Sequence, residues 1–287
     1  MIDNYLLEEL VTFTETKTLA KTAQKLMVTQ PTVTRGMQKL EDELGVKLFD
    51  RQPNKISLTK AGELAAKKAQ LVLDTNRQFV NEIRNFAQSQ QVIKIASVAP
   101  GPQIVIDDTK SQLATNIDLN QELFDINRIE PALQSHQYSL IITNQEIQTD
   151  LIESCYLGQE RLFVNLDQFM YLANQQQVTF KELAGLSFVV LNEIGPWKQV
   201  IQDNIPNAKF LYQAEYDSMR ELTKYTNFPF FTTNITNNDN TTYDTSDSVR
   251  LPITDDTAKM TFYAAYLTSQ RKIVTPLAKK LVEIWPQ

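Results

Sequence analysis

The sequence predicts an α/β protein headed by a small all-helical module, and three observations predict it. Between Lys17 and Lys68 the chain carries eleven Lys/Arg against five Asp/Glu, whereas the other 235 residues sum to −12, within a net charge of −6. From Thr59 to about Ser89 no proline occurs and Gly62 is the only glycine, which admits one helix of roughly seven or eight turns. Beyond it, short β-like runs alternate with helical ones, the pattern of an α/β domain.

In the N-terminal module, Leu6, Leu10 and Phe13 follow Asp3 at helical spacing and predict a first helix over 4–16, with Asp3 as its cap. Thr18 caps a second, whose apolar stripe is Ala20, Ala23 and Leu26. After the turn "MVTQ", Thr29 caps a third helix. Pro31 falls in its first turn, where a missing amide costs least. Val33, Met37, Leu40 and Leu44 form that helix's apolar face, and Gly45 fits its end. Gly36 inside it costs about 1 kcal/mol relative to alanine. Thr32, Thr34, Arg35, Gln38 and Lys39 lie on other faces. That polar surface suits either plain solvation or the DNA major groove, about 12 Å wide, where side-chain donors meet base edges.

The next segment favours the groove. "VKLFD" and "KISLT" read as two short strands joined by a turn with Pro53 and Asn54, a β-hairpin wing with Arg51 and Lys55 flanking its tip. The run "FTETKTLAKTAQKLMVTQPTVTRGMQKLEDELGVKLFDRQPNKISLTKAGE" resembles the winged helix-turn-helix of LysR-type transcriptional regulators. The resemblance implies that Gln30, Thr32, Thr34, Arg35 and Gln38 on the third helix, with Arg51 and Lys55 in the wing, contact double-stranded DNA. It also implies a regulator that works as a homodimer or homotetramer and meets RNA polymerase; a cytoplasmic protein is expected from the lack of a signal-like or membrane-length apolar run, and a non-enzymatic one from the lack of catalytic motifs.

Along the 59–89 helix, Ala65, Val72, Phe79 and Phe86 recur every seven residues, with Ala69, Asn76 and Ile83 four positions after the first three. Such a stripe suits a helix pair or packing onto the chain's own domains. The resemblance implies dimerisation through Val72, Phe79, Ile83 and Phe86, placing two recognition helices in successive grooves about 34 Å apart, over an inverted repeat.

The organisation expected is a DNA-binding domain over 1–58, a linker helix over 59–89 and an effector domain over 90–287. "VIKIASV", "LNQELFDI", "YSLIIT", "ERLFVNL", "LSFVVLN" and "KFLYQAE" read as strands. Residues 101–115, 127–136, 196–204, 217–225 and 276–285 read as helices, and the sheets are expected to be largely parallel. The resemblance implies two subdomains like those of periplasmic binding proteins, about 90–160 with 253–287, and about 161–252. Open α/β folds bind ligands beyond the carboxyl ends of strands. That rule nominates Ser97, Pro100, Gly101 and Gln103 after the first strand, Asn192 and Glu193 after "FVVL", and Thr232 and Thr233 after "FPFF". The occupant expected is a small-molecule effector, or else the domain responds to a protein partner or to oligomeric state. The Asn/Thr-rich segment 232–248 reads as a long loop.

Other classes find little support. One cysteine, Cys155, and one histidine, His136, offer neither an internal disulfide nor a metal cluster of the usual spacing. A buried small residue is the ordinary reading of such a cysteine, although a lone thiol can be oxidised reversibly. No phosphate-binding loop or Ser/His/Asp signature is present, and Glu193 and Asp217 lack a partnering base or nucleophile. No cofactor is expected. The acidic N-terminus and the lack of a long apolar run point away from a signal peptide and a membrane.

Overall fold

Three helices open the chain: α1 (Asn4–Thr16), α2 (Leu19–Lys25) and α3 (Gln30–Leu44). They belong to a computed structural model that describes residues 1–52, 55–112, 116–236 and 248–286 and divides into two units, Met1–Arg84 and Asn85–Gln287.

In the first unit the helices start where hydroxyls can accept backbone amides. Thr18 Oγ1 accepts from the Lys21 amide at 3.3 Å and Thr29 Oγ1 from that of Thr32 at 3.4 Å. Asp3 does not cap α1; its carboxylate takes a stronger, charged partner, the Lys39 ammonium of α3, at 2.8 Å. Leu6, Leu10, Val33, Met37 and Leu40 are fully buried, each contributing about 1.5–3 kcal/mol by burial. Two expected apolar positions face solvent instead: Ala20, in the first turn of the short α2, and Leu44, 40% exposed in the last turn of α3.

One buried polar group interrupts this core. Glu9 of α1 is 4% exposed, its Oε2 has no hydrogen-bond partner among the described residues, and burial pushes its carboxyl up to about 7. A Cβ at Gly36 would collide with that carboxyl. The glycine in the middle of α3 therefore makes room for Glu9, which offsets its low helix propensity.

The wing follows as an antiparallel hairpin, β1 (Phe49–Gln52) and β2 (Lys55–Leu58), with Arg51 opposite Ile56. Glu41 of α3 holds its base, accepting from the Leu48 amide at 2.7 Å and the Phe49 amide at 3.2 Å. Phe49 also stands edge-on to Phe13, with ring centroids 5.1 Å apart. The long helix α4 (Lys60–Ser89) starts against the wing, where Thr59 Oγ1 accepts from the Gly62 amide at 3.0 Å. Its Ala66, Ala69 and Leu73 join the first unit's core.

The second unit holds β3 (Ile93–Ser97), β4 (Ile117–Leu119), β5 (Leu140–Thr143), β6 (Ile152–Asp167), β7 (Ser187–Leu191), β8 (Lys209–Gln213), β9 (Phe230–Thr233), β10 (Ser248–Pro252) and β11 (Lys259–Leu267). Their order is β4-β3-β5-β11-β6-β9-β7-β8, with β10 also on β6. Helices α5 (Pro100–Thr109), α6 (Ile129–Gln134), α7 (Trp197–Asn204), α8 (Tyr216–Tyr225) and α9 (Arg271–Ile284) complete it.

The sheet is mixed rather than largely parallel. Strands pair in parallel only toward its ends, β3 with β4 and β5, and β7 with β8 and β9. In the middle β6 runs antiparallel to β11, β9 and β10, because the chain passes between the halves on strands instead of returning through a covering helix. Leu140, Ile141 and Ile142 are fully buried in succession, as expected of a strand covered on both faces.

Three expected elements differ. "LNQELFDI" is strand only at Leu119: Asn120 donates to the Glu122 carbonyl at 2.8 Å and Asp125 accepts from the Asn127 amide at 2.9 Å, bonds that build turns. Helix α9 begins at Arg271 and contains Pro276 five positions in, where the Thr275 hydroxyl donates back to the Arg271 carbonyl at 2.6 Å. Helix α5 ends at Thr109, before a 3-10 turn over Lys110–Gln112. Of the expected 232–248 loop, Thr232 and Thr233 lie in β9, Ser248 begins β10, and 237–247 lie outside the described residues.

Candidate nucleic-acid interface and central cavity

Helix α3 buries Val33, Met37 and Leu40 and therefore turns Gln30, Thr32, Arg35 and Gln38 to solvent. At 15 residues it is about 22 Å long by the α-helical rise. Thr32 shares a 2.8 Å hydroxyl contact with the capping Thr29. The half-buried Thr34 is turned back, donating to the Gln30 carbonyl at 2.9 Å. Arg35 has no ion-pair partner among the described residues, so its guanidinium is available as a bidentate donor. Lys39 is engaged: Asp3 and Tyr5 hydrogen-bond its ammonium and hold it above the ordinary lysine range.

In the wing, Arg51 is 42% exposed with a long 3.6 Å approach to Glu41, which Lys47 shares at the same distance. The turn residues Pro53 and Asn54, and the side chain of Lys55, lie outside the described residues. Sequence reading did not single out Glu41. Its signal is an acid at the inner face of a helix just before two amides that no strand partner claims.

The apolar stripe of α4 splits between two faces. Ala69 is buried with the first unit, whereas Val72, Phe79, Ile83 and Phe86 remain 47%, 64%, 57% and 49% exposed. Asn76 donates to Asn4 at 2.9 Å and takes no part in an apolar seam.

In the second unit a cavity of about 200 Å³ is lined by α5, β6, β7, α7, α8 and β9. Pro100, Glu193, Thr232 and Thr233 are among its walls. Gly101 stands at its edge: a Cβ there would lie 2.6 Å from Glu160 Oε1 and 2.7 Å from Oε2. Ser97 turns away, its hydroxyl donating to the Ala99 carbonyl at 2.7 Å. Gln103 donates to the Asn120 and Gln121 carbonyls, and the Asn192 amide joins β8 through Gln213.

Glu160, which sequence reading treated only as the start of a strand, is the cavity's central polar group. It is 1% exposed and accepts from Trp197 Nε1 at 3.0 Å, and the Thr233 hydroxyl bonds it as well. Desolvation raises its carboxyl above the ordinary range, against those two bonds. An acid opening an apolar strand was the only trace of it in the sequence.

No helix among the described residues is long and apolar enough to cross a membrane, and none of their His, Cys, Asp and Glu residues group in a way that could hold a metal ion.

Residues 5–63 match the sequence model of bacterial regulatory helix-turn-helix proteins of the lysR family. The chain is 28% identical over 191 residues to the uncharacterized HTH-type transcriptional regulator YybE of Bacillus subtilis, covering 65% of each chain. It is 22% identical over 201 residues to the HTH-type transcriptional regulator DgcR of a Pseudoalteromonas species, covering 66% of this chain and 68% of that one. These alignments thus span about two thirds of the relatives' length. In fold it is similar to Vibrio fischeri DarR in complex with DNA, with a TM-score of 0.65 and 14% identity over 99% of this chain and 98% of that one. A full-length variant of OxyR from Pseudomonas aeruginosa follows, with a TM-score of 0.53 and 20% identity over 98% and 95%. Residues 5–63 are thus a lysR-family helix-turn-helix, and the long helix and α/β domain that follow it have the fold of full-length LysR-type transcriptional regulators.

Proposed function

We propose that the protein is a homo-oligomeric regulator that reads an inverted-repeat operator through α3 and the wing, under control of a small molecule in the second unit's cavity. The observation that carries the DNA reading is the front of α3, where Gln30, Thr32, Arg35 and Gln38 stand exposed over a buried apolar face. Pairing between two copies is supported by Val72, Phe79, Ile83 and Phe86, four exposed apolar side chains on one helix. They are the residues we assign to dimerisation. The apolar cavity supports control by a metabolite over control by a protein partner, because a small molecule can be held between its walls. The switch requires that the molecule bind the two arrangements of the regulator with unequal affinity. RNA polymerase is the expected downstream contact.

Selection of genomic fragments on the purified protein, with sequencing and a salt titration, tests this. A few fragments sharing an inverted repeat, lost steeply as salt rises, are expected. Uniform recovery of fragments without a common site would refute operator recognition by the protein alone.

A further inference from the structure

The cavity's chemistry narrows what it can hold. Its walls are chiefly apolar, including Ile104, Leu162, Ile194 and Met219, and its charged groups are two carboxylates, Glu160 and the more exposed Glu193. No Lys, Arg or His is among the described residues that line it. An anion entering it would meet like charge in a site where screening by water is weak.

The backbone gives anions no better reception. Helix α5 points its first turn at Glu160, and an open helix start ordinarily supplies amide donors to an anion. Here the turn reads Pro100, Gly101, Pro102 and Gln103. Two of those four residues have no amide hydrogen, and the protein's own carboxyl already sits against Gly101. The position an acidic ligand would seek is filled from within.

Glu160 itself has acceptor capacity left. A carboxylate offers about four acceptor directions, of which the Trp197 indole and the Thr233 hydroxyl take two. Beyond the cavity, the net charge of −8 carried by residues 85–287 attracts cations at long range. Arg250, behind the cavity wall, donates to the Thr232 hydroxyl and the Thr233 carbonyl, and among the described residues no cation pairs with Glu160, whose carboxyl burial keeps above its ordinary range; an arriving ammonium would stabilise its charged form.

We propose that the cavity takes a compact, mainly apolar primary amine whose ammonium donates to Glu160 and whose hydrocarbon part packs between α5, β7 and α7. This rests on the reading of the cavity as the effector site and adds the ligand's chemical class. The volume, about 200 Å³, suits a compact ligand with a short hydrocarbon part.

Hexylamine, hexanol and hexanoate share a chain and differ in head group, so they serve as probes on the full-length protein. Thermal unfolding is followed together with the indole N–H resonances of 15N-tryptophan-labelled protein, in which the Trp197 signal reports on Glu160. Hexylamine should raise Tm and shift the Trp197 resonance more than hexanol does, and hexanoate should do neither. In Glu160→Gln, hexylamine should bind about tenfold or more weakly, the scale of a lost charge-assisted bond, with hexanol affected little. Equal or greater stabilisation by hexanoate, or no response to any probe, overturns the proposal. So does undiminished hexylamine binding by Glu160→Gln. If that variant does not fold, the order of the three probes on the unaltered protein decides by itself. The control reading fails separately: selective hexylamine binding that leaves operator binding unchanged would support the ligand class while removing this cavity's regulatory role.

Discussion

Replacing Glu9 by glutamine is expected to flatten the dependence of N-terminal-unit stability on pH between about pH 5 and pH 8. In the folded chain this carboxyl is buried beside Gly36 and pushed up to about 7, from an ordinary value of 4.5. A group whose folded value is raised binds its proton more tightly in the native state. Its contribution therefore falls as pH climbs from the unfolded value through the folded one and levels off above it. At about 1.4 kcal/mol per unit, the loss has a ceiling of about 3 kcal/mol. Glutamine has no proton to lose, but its amide must sit in the same place. Any unpaired group it leaves would cost about 1–3 kcal/mol at every pH. The diagnostic is therefore the difference between wild type and Glu9→Gln at pH 8 compared with that difference at pH 5. Hydrogen exchange of peptides from α1 and α3 in the full chain, corrected for intrinsic rates, reads this unit; both tryptophans, Trp197 and Trp285, lie in the other one. Wild-type and variant curves that run parallel across the interval would refute the reasoning, because the buried carboxyl would then not be titrating with the fold.

Three shorter predictions accompany it. Arg35→Ala should weaken operator binding by about 1–3 kcal/mol and relax base preference at one position, measured by competition among operator variants; an equal loss on every sequence would assign Arg35 to phosphate contact instead. Phe79→Asp with Ile83→Asp should shift sedimentation toward the monomer while preserving the circular dichroism spectrum, since both side chains are more than half exposed in the single chain. An unchanged oligomer would remove this face from the interface. Cys155 is half-buried on β6, and burial pushes its thiol up, so iodoacetamide should alkylate it far more slowly in the native protein than in urea; equal rates would contradict that burial.

Where one helix or turn decides its own geometry, the sequence was readable. Thr18 and Thr29 announced their helices through caps, Gly45 its end, and Val33, Met37 and Leu40 the buried face of α3, all local signals. The first half of β6, Ile152–Gln159, was missed because its partner β11 lies more than a hundred residues away and supplies the pairing that its mixed polar sequence does not advertise. Gly36 illustrates the same limit: it reads as a weak point in a helix until Glu9, 27 positions earlier, is found against it. The cavity residues nominated from strand ends were those a general α/β rule can reach. Glu160 was out of that rule's reach, since it sits inside a strand and acquires its place from α5 and α7, which fold over it.

The long strand β6 has a mechanical consequence. It pairs with β11 from Ile152 to Arg161 and with β9 from Leu162 to Asn165, so one unbroken strand changes partner between two adjacent residues. Glu160 and Leu162 stand on either side of that change and are also walls of the cavity. Whatever fills the cavity therefore presses on backbone that both sets of pairings share, and the strain it imposes is carried into β11 and β9 together.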